Sequence, residues 1–160
     1  MAELWVLNAS PLIVLARVGQ WRLLDLLSPG WAVPEAVVWE VKAGPSDDPA
    51  RKLIEELGIA RQCRAAVPEA IAVWDLDAGE SQVLGWAYEH PEYTAIVDDR
   101  AARVCASVFG IRVLGTIGVL VRARRAGLIA ELRPVLAGLR AAGVRTDSRL
   151  EAEALRLVGE

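Results

Sequence analysis

Histidine and cysteine are nearly absent from this sequence. His90 is the only histidine of 160 residues, and Cys63 and Cys105 are the only cysteines. One histidine, in the loop-like run His90-Pro91-Glu92, excludes a histidine-rich metal site and argues against Ser-His-Asp or Cys-His catalysis. Two distant cysteines with no CxxC pair give neither a disulfide framework nor a thiolate zinc site, so a reducing compartment is expected. No apolar run reaches the roughly 18 residues of a membrane span, and no membrane partner is expected. Glu3 stands where a secretory signal would carry Lys or Arg, which makes a cytoplasmic setting the expectation. Chemistry, if present, rests mainly on carboxylates.

Apolar residues make up 54% of the chain and charged residues 24%, with mean hydropathy +0.30. That composition excludes intrinsic disorder and fits a single compact domain over 1–160. Charge is unevenly spread: residues 1–99 hold 7 Lys and Arg against 16 Asp and Glu, whereas 100–160 hold 11 against 5. An acidic half followed by a basic half can set a cation-binding cluster beside a surface that attracts phosphate, and solvated helix faces would give the same pattern.

Short apolar runs at 4–7, 31–33, 93–97 and 111–114 read as strands. Between them lie helical patterns: Ser10-Pro11 opens one as cap and first helical residue, and others cover 21–27, the stretch after Pro34-Glu35, and 49–57. Later helices are expected from Asp77-Ala78-Gly79-Glu80 to about 89, over 101–107 and about 117–125, and in a C-terminal pair within about 128–158. The stretch 59–74 receives no assignment. Strands alternating with helices predict an α/β domain, a three-layer α/β/α sandwich with a mainly parallel central sheet. The six tryptophans read as core and His90 as a surface loop residue.

In such sheets ligands bind beyond the carboxyl ends of the strands. Asn8, Asp98, Asp99 and Thr116 follow strands directly, Glu40 sits in an otherwise apolar helical stretch, and Glu80 opens a helix. Gathered on one edge, Glu40, Glu80, Asp98, Asp99 and the Asn8 amide form an all-oxygen set suited to Mg²⁺ or Mn²⁺. Such ions activate water and stabilise charge on a phosphodiester. Each residue has a structural alternative: Glu80 favours a helix dipole, Asn8 bonds a local turn, and one of Asp98 and Asp99 caps a helix. Arg100 and Arg103 on one helix and Arg122, Arg124 and Arg125 on another suit phosphate contact.

Asn8-Ala9-Ser10-Pro11-Leu12-Ile13 resembles the opening Asp-x-Ser-x-Leu-Ile motif of PIN-domain nucleases, and Pro34 to Val41, carrying Glu40, resembles their Pro-x-x-Val-x-x-Glu helix. Gly79-Glu80-Ser81, the run from Val97 to Arg103, and the run from Gly115 to Leu120 resemble later motifs of a subgroup of small prokaryotic PIN proteins. The resemblance spans about 4–145. It implies an α/β/α sandwich, Glu40, Glu80 and Asp98 or Asp99 as acidic site residues with Thr116 nearby, Ser10 and Thr116 beside the arginines as nucleic-acid-binding residues, Mg²⁺ or Mn²⁺, and hydrolysis of RNA. It further implies, as partners, an antitoxin protein, as in VapC-type toxins, and a second copy in a homodimer. The departure is Asn8, where the family usually has aspartate. That difference raises a second reading, a PIN-like domain that binds nucleic acid or protein without cleaving. A phosphoacceptor signalling domain is a third reading; such domains carry the acidic pair after the first strand, and here it comes late.

Overall fold

The computed structural model describes residues 3–160; of the expected 1–160 domain, residues 1 and 2 lie outside the described residues. Five strands form one sheet: β1 (Leu4–Leu7), β2 (Trp31–Pro34), β3 (Gln62–Cys63), β4 (Tyr93–Ile96) and β5 (Val113–Leu114). Their spatial order is β3-β2-β1-β4-β5, and every pairing is parallel. The strands carry apolar side chains on both faces, because helices cover both sides of a parallel sheet. Trp5, Val6, Leu7, Val33, Ala95 and Ile96 are buried accordingly.

The helices are α1 (Ala9–Arg17), α2 (Leu23–Leu27), α3 (Glu35–Lys42), α4 (Pro49–Leu57), α5 (Glu69–Ala72), α6 (Ala78–Glu89), α7 (Arg100–Val108), α8 (Thr116–Arg125), α9 (Leu132–Ala141) and α10 (Ser148–Leu157). Helix α6 lies across β1, β2 and β4 with α7 beside it, while α1 packs against α3, α4 and α8. This is the expected α/β/α sandwich. The chain passes from β1 to β2 on one side and places β4 on the other, so the carboxyl ends of β1 and β4 flank the point where strand order reverses. That crevice is the preferred ligand position in open α/β sheets.

Several expected elements differ in detail, each for a local reason. Helix α1 begins at Ala9 with Asn8, not Ser10, at the cap position; Pro11 falls within the first turn, where its missing N–H leaves no bond unmade. Ile111 does not join β5, because its N–H donates to the Ala106 carbonyl at 2.9 Å after Gly110 turns through φ +67°. That is the closing bond of a helix C-cap. Helix α9 starts at Leu132 and not near 128, which keeps Pro134 in its first turn; the Glu160 carboxylate accepts from the Leu132 and Arg133 N–H groups. The unassigned 59–74 stretch holds β3 and α5, both too short for a periodic signal. Trp39 and Trp74 are exposed, unlike the buried Trp5 and Trp31, and His90 is half-buried, stacked on Trp86 with ring centroids 3.8 Å apart.

Gly85 explains how the connection from β3 to α5 is seated. A Cβ on Gly85 would stand 2.3 Å from the Ala66 carbonyl oxygen, so the backbone of that connection presses on α6 where a side chain would be. Alanine is the better helix former by about 1 kcal/mol, yet the clash is with backbone and outweighs this. Gly85→Ala is expected to destabilise the protein by about 1–3 kcal/mol. An unchanged urea midpoint would show that 64–68 does not pack there.

Candidate functional site

Asn8 follows β1 in extended backbone, φ −78° and ψ 167°, and its side chain makes no capping bond. The residue is 5% exposed, and its Oδ1 is buried without a hydrogen-bond partner. A buried amide oxygen left unpaired costs about 1–3 kcal/mol. Helix α3 starts directly at the end of β2, so Glu40 in its second turn reaches the same edge. Contact between α3 and α6 then brings Glu40 over the start of α6. A Cβ on Gly79 would lie 3.2 Å from both Asn8 Oδ1 and Glu40 Oε2. The two oxygens therefore converge on Gly79 because it has no side chain.

One residue on, Glu80 is 9% exposed. Asp77 caps α6, its Oδ1 accepting from the Glu80 N–H at 2.7 Å. Burial first, then the like charges of Asp77, Asp99 and Glu40, push the Glu80 carboxyl up to about 7. Glu40 is also raised, by burial and by Asp77. Asn8 and Glu80 are buried at this edge, and Glu40, Asp77 and Asp99 are exposed around them, so the acidic group is open to solvent on its outer side.

The adjacent aspartates divide the work. Asp99 caps α7, its Oδ2 accepting from the Ala102 N–H at 3.0 Å, and it is the member whose charge acts on Glu80. Asp98 faces the start of α8 instead: Oδ1 accepts from the Thr116 N–H at 2.7 Å and Oδ2 from the Thr116 hydroxyl at 2.6 Å. A Cβ on Gly115 would meet Arg103 Nη1 at 2.9 Å and Asp98 Oδ1 at 3.0 Å, so glycine admits both groups to this corner. Ser10 is exposed and shares a cavity wall with Asp98, Arg103 and Thr116. Arg100 is the exposed first residue of α7.

Arg122, Arg124 and Arg125 are not brought to this edge. Helix α8 leaves the edge at Thr116 and carries them about 9–14 Å along its axis at 1.5 Å per residue. Arg122 pairs with Glu3, ahead of β1, Arg124 Nε with Glu160 at 3.0 Å, and Arg125 donates to the Leu157 carbonyl at 3.4 Å. They tie α8 to the far end of the sheet and to the C-terminal helix. Asp77 and Gly79 are the site residues that sequence reasoning missed. A helix cap and a glycine in a first turn each have an ordinary local explanation, and only the approach of α3 gives them a second role.

Among the described residues, no three His, Cys, Asp or Glu side chains form a metal-holding group. Asn8, whose amide oxygen meets Glu40 Oε2 at Gly79, is not an acid. The donor set nevertheless fits a hard divalent cation: it is all oxygen, its amide Oδ1 lacks a partner, and burial together with surrounding negative charge raises the Glu80 carboxyl to about 7. A cation here would pair the orphaned oxygen and relieve the repulsion.

The family model described as a PIN domain matches residues 4–160. No curated protein and no solved structure matches the chain. No helix of the described residues is long and apolar enough to cross a membrane.

Proposed function

We propose that this chain, which belongs to the PIN-domain family, is a divalent-metal-dependent endoribonuclease using Mg²⁺ or Mn²⁺. The observation that carries the proposal is the buried, partnerless Asn8 Oδ1 beside Glu40, Glu80 and Asp99 at the carboxyl edge of a parallel sheet. In this reading Asn8, Glu40, Glu80 and Asp99 hold the cation, which supplies Lewis-acid stabilisation of phosphodiester charge and activation of water. Glu80 titrates at about 7, so below neutral pH it must release a proton before it can serve as a full ligand. Asp98 is a positioning residue that fixes the start of α8 through Thr116. Arg100 and Arg103 offer positive charge to the RNA backbone next to the cleft. The same reading gives the chain a cytoplasmic setting, an antitoxin partner and a homodimeric state, as the toxin of a toxin-antitoxin pair; these rest on the family resemblance.

A second reading, an RNA- or protein-binding PIN domain without turnover, is favoured by one feature. Asn8 puts a neutral amide beside Glu40 where the family usually has aspartate, and among the described residues no three acids form a metal-holding group. Cleavage of a mixed RNA in Mn²⁺ by the purified chain, Asn8→Asp and Glu80→Ala separates the two. Cutting by the unaltered chain and not by Glu80→Ala supports the nuclease. Cutting by Asn8→Asp alone supports the non-cleaving binder, and no cutting by either overturns the nuclease proposal.

A further inference from the structure

A cavity of about 620 Å³ opens beside the acidic cleft, between β5, the first turn of α8, α1 and the segment that joins α9 to α10. Asp98, Thr116 and Ser10, which stand just past the carboxyl ends of β4, β5 and β1, line its side toward the acidic residues. Its other walls are mixed in character. Val14, Leu114, Ile117, Val144 and Leu150 make an apolar interior, and Arg103 and Arg145 stand at its polar rim. Among the described residues neither arginine enters an ion pair, whereas Arg122, Arg124, Arg140 and Arg156 all do. Arg103 Nη1 donates to the Val97 carbonyl at 3.3 Å and keeps its charge unpaired; two guanidinium groups without a carboxylate partner next to an apolar slot match a ligand with a flat, apolar-faced ring joined to an anionic group. The volume is of the size that takes one small organic group.

We infer that this cavity is a nucleobase subsite, receiving one base of the RNA next to the reacting phosphate, with the 144–150 segment as the wall that discriminates among bases. The inference rests on the nuclease reading for the position of the phosphate, and its own content is the pocket. A base entering it leaves its stack, lies against Ile117, Val144 and Leu150, and turns its phosphates toward Arg103 and Arg145. The wall is structurally fixed: the Thr146 hydroxyl donates to the Glu151 carboxylate, Arg140 Nη1 pairs with Glu151 at 2.5 Å, and Asp147 caps α10 by accepting from the Arg149 N–H at 2.7 Å. Those bonds leave Arg145 free to face a ligand. Leu150 is about half exposed, at 52%, so a larger side chain there can fill the cavity without entering the core.

Fluorescence polarisation of the full chain with labelled octamers of A, C, G and U, in EDTA to prevent cleavage, tests this directly. The unaltered chain is expected to prefer one base. Leu150→Trp is expected to weaken binding about tenfold and flatten the preference, Arg145→Ala to weaken it severalfold, and Arg156→Ala, on the same helix but outside the cavity, to change nothing. Equal binding of all four octamers, or a Leu150→Trp chain that melts normally and binds as before, overturns the inference. Absence of RNA binding overturns it too and leaves the cavity to a protein segment. The readout is independent of turnover. A chain that cleaves, with Leu150→Trp binding unchanged, keeps the nuclease reading and loses the pocket; a chain that never cleaves but loses base preference in Leu150→Trp does the reverse.

Discussion

Asn8→Asp is expected to lower stability in EDTA above neutral pH and to tighten divalent-cation binding by about one to two orders of magnitude. The substitution keeps the shape of the side chain and replaces a neutral oxygen, buried and without a partner, by half of a full negative charge. That charge joins Glu40, Glu80, Asp77 and Asp99, where burial and then the like charges around it already raise Glu80 to about 7. A unit-charge pair 4 Å apart at an effective dielectric of 20 is worth about 4 kcal/mol, an upper guide before desolvation. A net effect of about 1–3 kcal/mol gives the stated range in affinity. It also lowers the melting temperature of the metal-free protein by roughly 2–4 °C per kcal/mol. The check is a pair of thermal melts for each chain, in EDTA and in millimolar Mn²⁺. Equal Mn²⁺ shifts in both chains would show that Oδ1 does not face the cation, and the site assignment would fall with it.

Strands β1, β2 and β4 were legible because a parallel sheet covered on both faces needs uninterrupted apolar runs, and 4–7, 31–33 and 93–97 supply them. Glu40, Glu80 and the Asp98-Asp99 pair were legible as candidates because carboxylates at strand ends and helix starts stand out against apolar surroundings. The division of labour between Asp98 and Asp99 was not. It depends on which side chain points across to Thr116 at the start of α8 and which turns back into α7, a matter of backbone direction that two identical neighbours cannot encode. The arginines of α8 misled for a related reason. Composition shows that positive charge follows the site in sequence, while helix rise decides how far from the site it lies. Gly79 and Gly115 carry no side chain to draw attention, and their importance is the close approach of Asn8, Glu40, Asp98 and Arg103.

Glu80→Gln is expected to separate stability from function in opposite directions. In the folded chain the Glu80 carboxyl titrates near 7, against 4.5 for the unperturbed group, so between these values the folded state holds a proton that the unfolded state has released. The stability this proton contributes is fully present below about pH 4.5 and is lost as pH rises through about 7. Metal-free wild type therefore declines across that window, and glutamine, which cannot ionise, removes the Glu80 part of the decline. Allowing for water in the open cleft, Glu80→Gln should be more stable than wild type by about 2 kcal/mol at pH 8 in EDTA and equal to it near pH 4.5. The Asp77 cap is untouched, since it accepts from the backbone N–H of residue 80. In Mn²⁺ the order reverses: wild type exchanges the proton for a cation and gains stability as pH rises above 7, while the amide variant gains little and loses cleavage by at least about a hundredfold. Melts across pH with and without Mn²⁺ give the two curves. A Glu80→Gln chain that is less stable than wild type at pH 8 in EDTA would mean that Glu80 is held by a favourable partner and not by repulsion. The cleft would then be a structural ion cluster rather than a site kept strained for a cation.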